Sequence, residues 1–359
     1  MKIRKRMLSL ALAITLVLTA NIPVFAASEM TSTIDKTTKQ RVERIVEAKI
    51  ASIGKNITVK DVDIIKDFDG NNYAVVDCDP KGYFIYHVNS GVCVEYNLGA
   101  KSPFANVSGT PMYGGPANYF EKEQEKYIHT VTGLQLGKEA VTAVKEECKL
   151  QNKEFLAKPI QETKKYLEGT ANQLEVQVTR ANTDYWVSNY TYFKNRTSNF
   201  GYKSGGYCGY IAANLILKYW DYRGKINLPT YSSSVGLTNE LIGLGSSAAT
   251  VAWDISSVMN KYCKNHSFPE KAHWAVGVFN IDGEIRDNKR PCILFGNLSN
   301  HNAGNHAVVV YGYNTYENSG YNTYVCHYGW DPKDGNTFSE VHVCGGTGSI
   351  FGSNTKYTI

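Results

Sequence analysis

One cysteine of the sequence stands where a thiol could act as a nucleophile. Cys208 follows the pair Gly205-Gly206 and precedes GYIAANLILKYWDY, an apolar pattern of helix-forming residues that predicts a buried helix. At a helix N-terminus, unpaired backbone N–H groups and the positive end of the helix dipole favour a thiolate over a thiol. The alternative interpretation is a structural cysteine that packs in the core.

A thiolate nucleophile needs an imidazole within hydrogen-bonding distance, and His306 is the most suitable histidine. It begins the apolar run HAVVVYGYN, so it would lie at the edge of the core where a cleft can form; the alternative is a capping or surface histidine. The next predicted strand ends in VCHYGWDP, so a hairpin would bring His327 or Asp331 alongside His306. A carboxylate, an amide or a second imidazole could accept the imidazole N–H and fix its tautomer. Trp330 could shield that hydrogen bond from water.

The elements that would position these residues come as helices first and strands afterwards. Two more helices are predicted around TNELIGLG and ATVAWDISSVMNKYCKN, and four strand-like runs follow residue 272: HWAVGVFN, PCILFGN, HAVVVYGYN and TYVCHYGW. This order predicts an α+β domain over residues 181–359. Cys292 and Cys326 lie inside the strand-like runs, where a cysteine usually serves as a small hydrophobic residue.

The first half of the chain predicts a smaller α+β domain behind a signal peptide. Residues 1–26 combine a basic start, a short apolar run and VFA, as in a secretory signal peptide cut after Ala26. In residues 27–137, an amphipathic helix at 37–53 precedes the alternating runs YAVVDCD, GYFIYHV and VCVEYNL, which predict an antiparallel meander. Residues 138–180 are charged and helix-prone, as in a solvated helical connector, so the main boundary is predicted near Arg180.

Composition excludes several classes of function. The formal net charge is +5, but four of the first six residues are basic and no later basic cluster suits nucleic acid. No stretch after the signal peptide approaches the ~20 apolar residues of a membrane helix, so we expect a secreted chain without stable membrane insertion. The eight cysteines form no CxxC pair, and nothing in their spacing calls for a metal or an organic cofactor. Of the five cysteines after residue 181, at least one must stay unpaired within this half.

Taken together, these motifs resemble the papain-like cysteine peptidases, and most closely the streptopain-like secreted bacterial enzymes. YCGYIAANLILKYW is similar to their nucleophile helix, NHAVVVYGYN to their histidine strand and HYGW to their Asn-Trp-Gly-Trp segment. The resemblance implies that Cys208 is the nucleophile and His306 its acid–base partner. It puts His327 where the family has an orienting asparagine, and Asp331 remains a competitor for that role.

One element of the family pattern has no direct counterpart here. The stretch TSNFGYKSGGYC contains no glutamine where the family has its oxyanion donor. Asn199 could supply the amide, with the backbone N–H of Cys208 as the second donor, but Asn199 could equally be a turn residue.

The resemblance extends into the first half, where GYFIYHVNSGVCVEY, MYGGPANYF and YIHTVTG are similar to a propeptide of secreted relatives. It implies a zymogen whose first half inhibits the enzyme, with a cut between QVTR and ANTDYW, and a protein or peptide substrate. Two alternatives are a cell-wall amidase, peptidase or acyl transferase with the same dyad, and a non-catalytic surface protein that binds through its 25 tyrosines.

Overall fold

The computed structural model describes residues 24–171, 183–245, 251–268, 271–278, 280–296, 306–315, 321–332, 335–345 and 353–358. Within these ranges, side chains are described from residue 36 onwards, except at residues 183, 315 and 353. Most of the predicted signal peptide and the predicted boundary near Arg180 lie outside the described residues.

The described part of the chain contains eight helices. They are α1 (Val24–Ile53), α2 (Lys138–Ala157), α3 (Gln161–Glu168), α4 (Thr191–Lys194), α5 (Cys208–Tyr222), α6 (Gly236–Leu244), α7 (Ala252–Asn265) and α8 (Ile281–Arg286). The amphipathic helix predicted at 37–53 lies within α1, and Val42, Val46 and Ile50 on its apolar face are buried. The helix predicted after Gly206 is α5, and most of its residues are buried.

The described strands form one large sheet. They are β1 (Thr58–Asp67), β2 (Asn72–Asp79), β3 (Tyr83–His87), β4 (Val92–Asn97), β5 (Thr110–Tyr113), β6 (Tyr119–Glu123), β7 (Lys126–His129), β8 (Thr183–Trp186), β9 (Lys271–Val276), β10 (Cys292–Phe295), β11 (Ala307–Thr315), β12 (Asn322–His327), β13 (Val341–Gly345) and β14 (Ser353–Thr358). Their order is β7-β6-β5-β1-β2-β3-β4-β13-β12-β11-β10-β14-β9, and β8 pairs with β11. Neighbouring strands are antiparallel except β1 and β5. The protein is therefore a mixed fold with a mostly antiparallel sheet, in agreement with the predicted α+β class.

Two local predictions can be compared directly with this sheet. The meander of the first half is β2-β3-β4, three strands that pair in sequence order. The hairpin predicted after His306 is β11-β12, in which Val309 lies opposite His327. Strands β3, β4 and β12 are buried on both faces, so these local pairs lie inside the core of the protein.

The predicted connector is helical, but α2 is not only a solvated helix. One face of α2 is buried, and the Asn152 amide in that face donates to Asp67 at 2.6 Å and accepts from the Tyr73 hydroxyl at 2.9 Å. Because both partners belong to the first sheet strands, α2 is packed onto the first half of the chain. Most of its charged residues lie on the solvent side, whereas Glu147 is buried.

The two halves of the chain share one sheet and one core. Strand β4 pairs with β13 in an antiparallel register that places Glu95 opposite Val343 and Tyr96 opposite His342. The Tyr96 and His342 rings stack with centroids 4.3 Å apart. One cluster of buried apolar residues also extends from Ile65 in β1 to Tyr357 in β14. The first half is thus continuous with the second through backbone hydrogen bonds as well as side-chain packing.

All eight cysteines lie in the described part of the chain, and none forms a disulfide bond. Cys292 in β10 and Cys326 in β12 are fully buried, and burial raises the pKa of both thiols. They are small core residues, as their strand-like surroundings predict. Among the described helices, none is long and apolar enough to cross a membrane.

Candidate active site

Cys208 is the first residue of α5, as the sequence predicts. The residue before it, Tyr207, makes no side-chain cap hydrogen bond to α5. Gly205 and Gly206 have φ angles of +104° and +84°, a backbone conformation that favours glycine. Both glycines are exposed, whereas Cys208 is half-buried. This thiol is therefore placed at a positively polarised helix end close to the surface.

His306 immediately precedes β11, and its ring is held by two contacts. Its Nε2 lies 2.6 Å from the carbonyl oxygen of Tyr328, and its ring centroid is 4.8 Å from that of Trp330. Because a carbonyl oxygen only accepts, Nε2 carries the proton. Burial lowers the pKa of His306 to about 4, against the opposing effect of the Tyr328 hydrogen bond. At neutral pH His306 is therefore an uncharged imidazole with an unprotonated Nδ1, the form that a general base requires.

The short segment 328–330 adjoins both the histidine and the first turn of the cysteine helix. The Tyr328 carbonyl and the Trp330 ring contact His306. Between them lies Gly329, where an added Cβ atom would come 3.2 Å from Cγ2 of Ile211. Ile211 lies one turn after Cys208 and donates its N–H to the Tyr207 carbonyl at 3.0 Å. The segment 328–330 thus contacts His306 and lies beside Ile211, in the first turn of the helix that begins at Cys208.

His327 does not occupy the orienting role predicted from its position. Its Nε2 donates to the carbonyl oxygen of Arg196 at 2.6 Å, and its Nδ1 accepts the N–H of Gly329 at 2.9 Å. Burial lowers the pKa of His327 to about 4, so the ring is neutral and both nitrogens are engaged. The group that accepts the His306 N–H is the main-chain carbonyl of Tyr328.

Asn199 is placed as a turn residue and not as an oxyanion donor beside Cys208. It is exposed, its φ angle is +59°, and its carbonyl accepts from Lys218 at 3.4 Å. Lys218 lies ten residues after Cys208 in α5 (218 − 208), which is about 15 Å along the helix axis. After Asn199 the chain approaches the start of α5. The Gly201 carbonyl accepts a hydrogen bond from the Thr238 hydroxyl, and that hydroxyl accepts one from the side-chain amide of Asn214 in α5.

Asp331, the competitor for the orienting role, is exposed. Among the described residues, its carboxylate forms no hydrogen bond with His306. It lines a cleft of about 120 Å³ together with Ser102 and Thr130 of the first half and Asn336 of the second. Burial raises the pKa of the Tyr202 hydroxyl, and the negative charge of the nearby Asp331 raises it further.

The first half contributes an imidazole beside the same tryptophan. His129, at the end of β7, has its ring centroid 5.6 Å from that of Trp330, and Tyr119 of β6 lies 5.9 Å from Trp330. His129 donates to the Ala117 carbonyl at 3.0 Å, and burial lowers its pKa to about 4. No motif of the sequence marks His129 as a functional residue, because YIHTVTG has the pattern of an ordinary strand.

A buried carboxyl group lies nearby in the first half. Glu95 of β4 is fully buried and accepts hydrogen bonds from the hydroxyls of Tyr83 and Tyr119. Burial raises the pKa of Glu95 to about 7, although these two hydroxyls oppose the rise. Tyr119 therefore contacts both this carboxyl group and Trp330. In the described residues, no cluster of three or more His, Cys, Asp or Glu side chains is arranged to hold a metal ion.

No protein-family model and no curated protein matches the sequence. Among solved structures, the chain is similar to UfSP from C. elegans, with 13% sequence identity and a TM-score of 0.30. The match covers 53% of this chain and 36% of that one, so this chain corresponds to about a third of its neighbour. A TM-score of 0.30 is too low to assign a shared fold.

Proposed function

We propose that the protein is a cysteine hydrolase that cleaves peptide bonds, with Cys208 as nucleophile and His306 as general base and acid. The observation that carries the proposal is that the segment 328–330 contacts His306 and lies beside the helix that begins at Cys208. Its Tyr328 carbonyl holds the proton of the neutral His306 ring at Nε2, which leaves Nδ1 unprotonated, and through Gly329 the segment adjoins the first turn of that helix. A papain-like arrangement of the second half is part of this proposal.

The chemistry follows from these two side chains. Nδ1 of His306 takes the proton of the Cys208 thiol, and the thiolate attacks the carbonyl carbon of the scissile peptide. The C–N bond then breaks, the imidazolium gives its proton to the leaving amine, and a thioester remains on Cys208. His306 next removes a proton from water as the oxygen attacks the thioester carbon, the C–S bond breaks to release the carboxylic acid, and the imidazolium returns its proton to the Cys208 sulfur. The main-chain N–H of Cys208, at the start of α5, is the proposed oxyanion donor.

We further propose that the chain is exported and made as a latent enzyme. Export rests on the signal-like sequence of residues 1–26. Latency is supported by His129 and Tyr119, which belong to the first half and pack against the same Trp330 ring that contacts His306. Because β4 also pairs with β13, this half acts as an intramolecular inhibitor whose release requires the separation of two paired strands.

Hydrolysis of a fluorescently labelled, unfolded protein tests the proposal. We expect the full chain to gain activity after limited proteolysis between residues 172 and 182, and Cys208→Ser and His306→Ala to stay inactive after the same treatment. His273→Ala, an exposed histidine in β9, is the matched control and should behave like the unaltered chain. Full activity of Cys208→Ser would overturn the proposal. If the protein hydrolyses purified peptidoglycan but not unfolded protein, its substrate is the cell wall and not a protein.

A further inference from the structure

We propose that one peptide group, between Tyr328 and Gly329, orients His306, and that His327 is a positioning residue acting through that peptide group. The proposal deepens the proposed function and rests on it for its catalytic meaning. In place of a side-chain acceptor, His306 uses a main-chain carbonyl. A second histidine, His327, accepts a hydrogen bond from the N–H of the same peptide group.

The peptide group is hydrogen-bonded at both ends by an imidazole. Its C=O, from Tyr328, accepts the Nε2–H of His306 at 2.6 Å. Its N–H, from Gly329, is donated to Nδ1 of His327 at 2.9 Å. A peptide group is planar, so the two hydrogen bonds fix its orientation together, and each polarises the group in the sense that strengthens the other.

The second histidine is anchored in turn. Nε2 of His327 donates to the Arg196 carbonyl at 2.6 Å, which requires Nδ1 of His327 to be the unprotonated nitrogen that can accept from Gly329. The series of donors therefore runs in one direction, from His306 to Tyr328, from Gly329 to His327 and from His327 to Arg196. Both histidines must be Nε2–H tautomers for this series to form.

The backbone around the peptide group is fixed independently. Tyr328 is buried, and its N–H donates to the Phe338 carbonyl at 2.9 Å. Gly329 has a φ angle of +69° and no room for a Cβ atom without contact at 3.2 Å with Ile211. The neighbouring acidic side chain, Asp331, is exposed and makes no hydrogen bond with His306 among the described residues. The carbonyl of Tyr328 is thus a preorganised acceptor for His306.

This arrangement has a chemical consequence for the nucleophile. With its proton held at Nε2, His306 presents the lone pair of Nδ1 to a thiol. A His306 ring with the proton at Nδ1 could not accept one, and the wrong tautomer of a catalytic histidine is known to be costly. His327 contacts neither substrate nor thiol in this scheme. It sets the tautomer of His306 through the peptide group to which both histidines are hydrogen-bonded.

Nuclear magnetic resonance on the full chain with ¹⁵N-labelled histidine tests the proposal. Long-range ¹H–¹⁵N correlations at pH 7 should show His306 and His327 each as the Nε2–H tautomer, and both should remain neutral at pH 5.5. This measurement needs no variant. An Nδ1–H tautomer at His306 would overturn the proposal.

Two variants separate a positioning role from a merely structural one. In His327→Asn, the side-chain oxygen replaces Nδ1 as acceptor for Gly329, whereas His327→Ala has no acceptor. We expect His327→Asn to keep the His306 tautomer and to leave alkylation of Cys208 within about three-fold of the unaltered chain. In His327→Ala, the tautomers of His306 should mix and the alkylation rate should fall by at least about ten-fold. Equal tautomer populations in the two variants would contradict the role of His327.

The same data distinguish this proposal from the proposed function. If His306 and His327 show the expected tautomers but Cys208 reacts no faster than the other cysteines, the proposed function fails and the peptide-group arrangement stands. If Cys208 is selectively reactive and His327→Ala leaves both the tautomer and the rate unchanged, the positioning role fails alone. His273→Asn, on the exposed side of β9, serves as the control for histidine replacement.

Discussion

His306 and His129 are imidazoles from different halves of the chain that pack against the same tryptophan, and His129 is buried whereas His306 is half-buried. Their centroids lie 4.8 and 5.6 Å from that of Trp330, burial lowers the pKa of each to about 4, and each donates its Nε2–H to a main-chain carbonyl. They differ at Nδ1. That of His129 accepts the N–H groups of Val131 and Thr132 at 3.3 and 3.2 Å, whereas no described residue donates to that of His306.

The difference shows that burial and a depressed pKa do not by themselves identify a general base. The lowered pKa is shared by His129, His306 and His327, and desolvation is its main cause in all three, although only His129 and His327 are buried. What separates His306 is that no described residue donates to its Nδ1, and that it contacts the segment that adjoins the first turn of α5. His129 has the environment of a structural histidine that closes its own turn.

The largest expected effect comes from exchanging each imidazole for an amide. His306→Gln should lower hydrolysis of an unfolded protein by at least about a hundred-fold, because an amide cannot take up a proton. His129→Gln keeps a donor for the Ala117 carbonyl and should retain activity within about three-fold after release of the first half. Initial rates with the same labelled substrate measure both. Equal losses in the two variants would remove the distinction between the two histidines.

The lowered pKa of these three histidines predicts that the folded chain loses stability in acid. The folded-state pKa of about 4 at His129, His306 and His327 lies below the ordinary value of 6.5, so the unfolded chain binds more protons between these pH values. Their contribution to stability is fully present above about pH 6.5 and is lost as pH falls towards 4, by about 1 to 3 kcal/mol for each histidine. Urea unfolding at pH 7 and pH 4.5 measures the loss. His129→Gln should reduce it; an unchanged loss would show that His129 is accessible to protons in the folded chain.

The support of His306 is expected to be rigid, which a glycine substitution can test. Gly329 and Gly54 have similar φ angles, +69° and +66°, but an added Cβ atom meets Ile211 only at Gly329. Both alanine variants should pay about 1 to 2 kcal/mol for the left-handed backbone. Gly329→Ala should lose about 1 kcal/mol more, because its methyl group crowds a packed core. Denaturant unfolding compares them, and equal losses would contradict tight packing at this segment.

The smallest expected effect concerns the carboxyl group in the first half. The pKa of Glu95 is raised from 4.5 to about 7, so its contribution to stability is fully present below about pH 4.5 and is lost as pH rises through 7. Glu95→Gln cannot ionise, and its stability relative to the unaltered chain should increase by about 1 kcal/mol between pH 6 and pH 8. Thermal unfolding at the two pH values is the check. A constant difference would place the ionisation of Glu95 outside this range.

The sequence predicted the elements that local patterns encode. The start of α5 at Cys208, the β11-β12 hairpin and the β2-β3-β4 meander follow from periodicity, glycine and turn residues. The pairing of β4 with β13 joins segments more than 240 residues apart (Val341 and Asn97), and no local pattern encodes it. The acceptor for the His306 N–H is a main-chain carbonyl, which every residue has. The residue type therefore does not identify it, and the sequence points instead to side chains such as those of His327 and Asp331. Asn199 is a candidate only as a substitute for the glutamine that the family pattern has, and its left-handed turn conformation matches the alternative prediction of a turn residue.

The central claim is that His306 activates Cys208, and a brief alkylation of the full chain at pH 7 tests it most directly. Cys93 is the natural internal control, because it is the other half-buried cysteine, and burial raises the pKa of its thiol to about 11. Mass spectrometry after iodoacetamide treatment should show Cys208 modified at least about ten-fold faster than Cys93, and His306→Gln should remove most of that advantage. Equal rates at the two cysteines, or a Cys208 rate that His306→Gln leaves unchanged, would contradict the account.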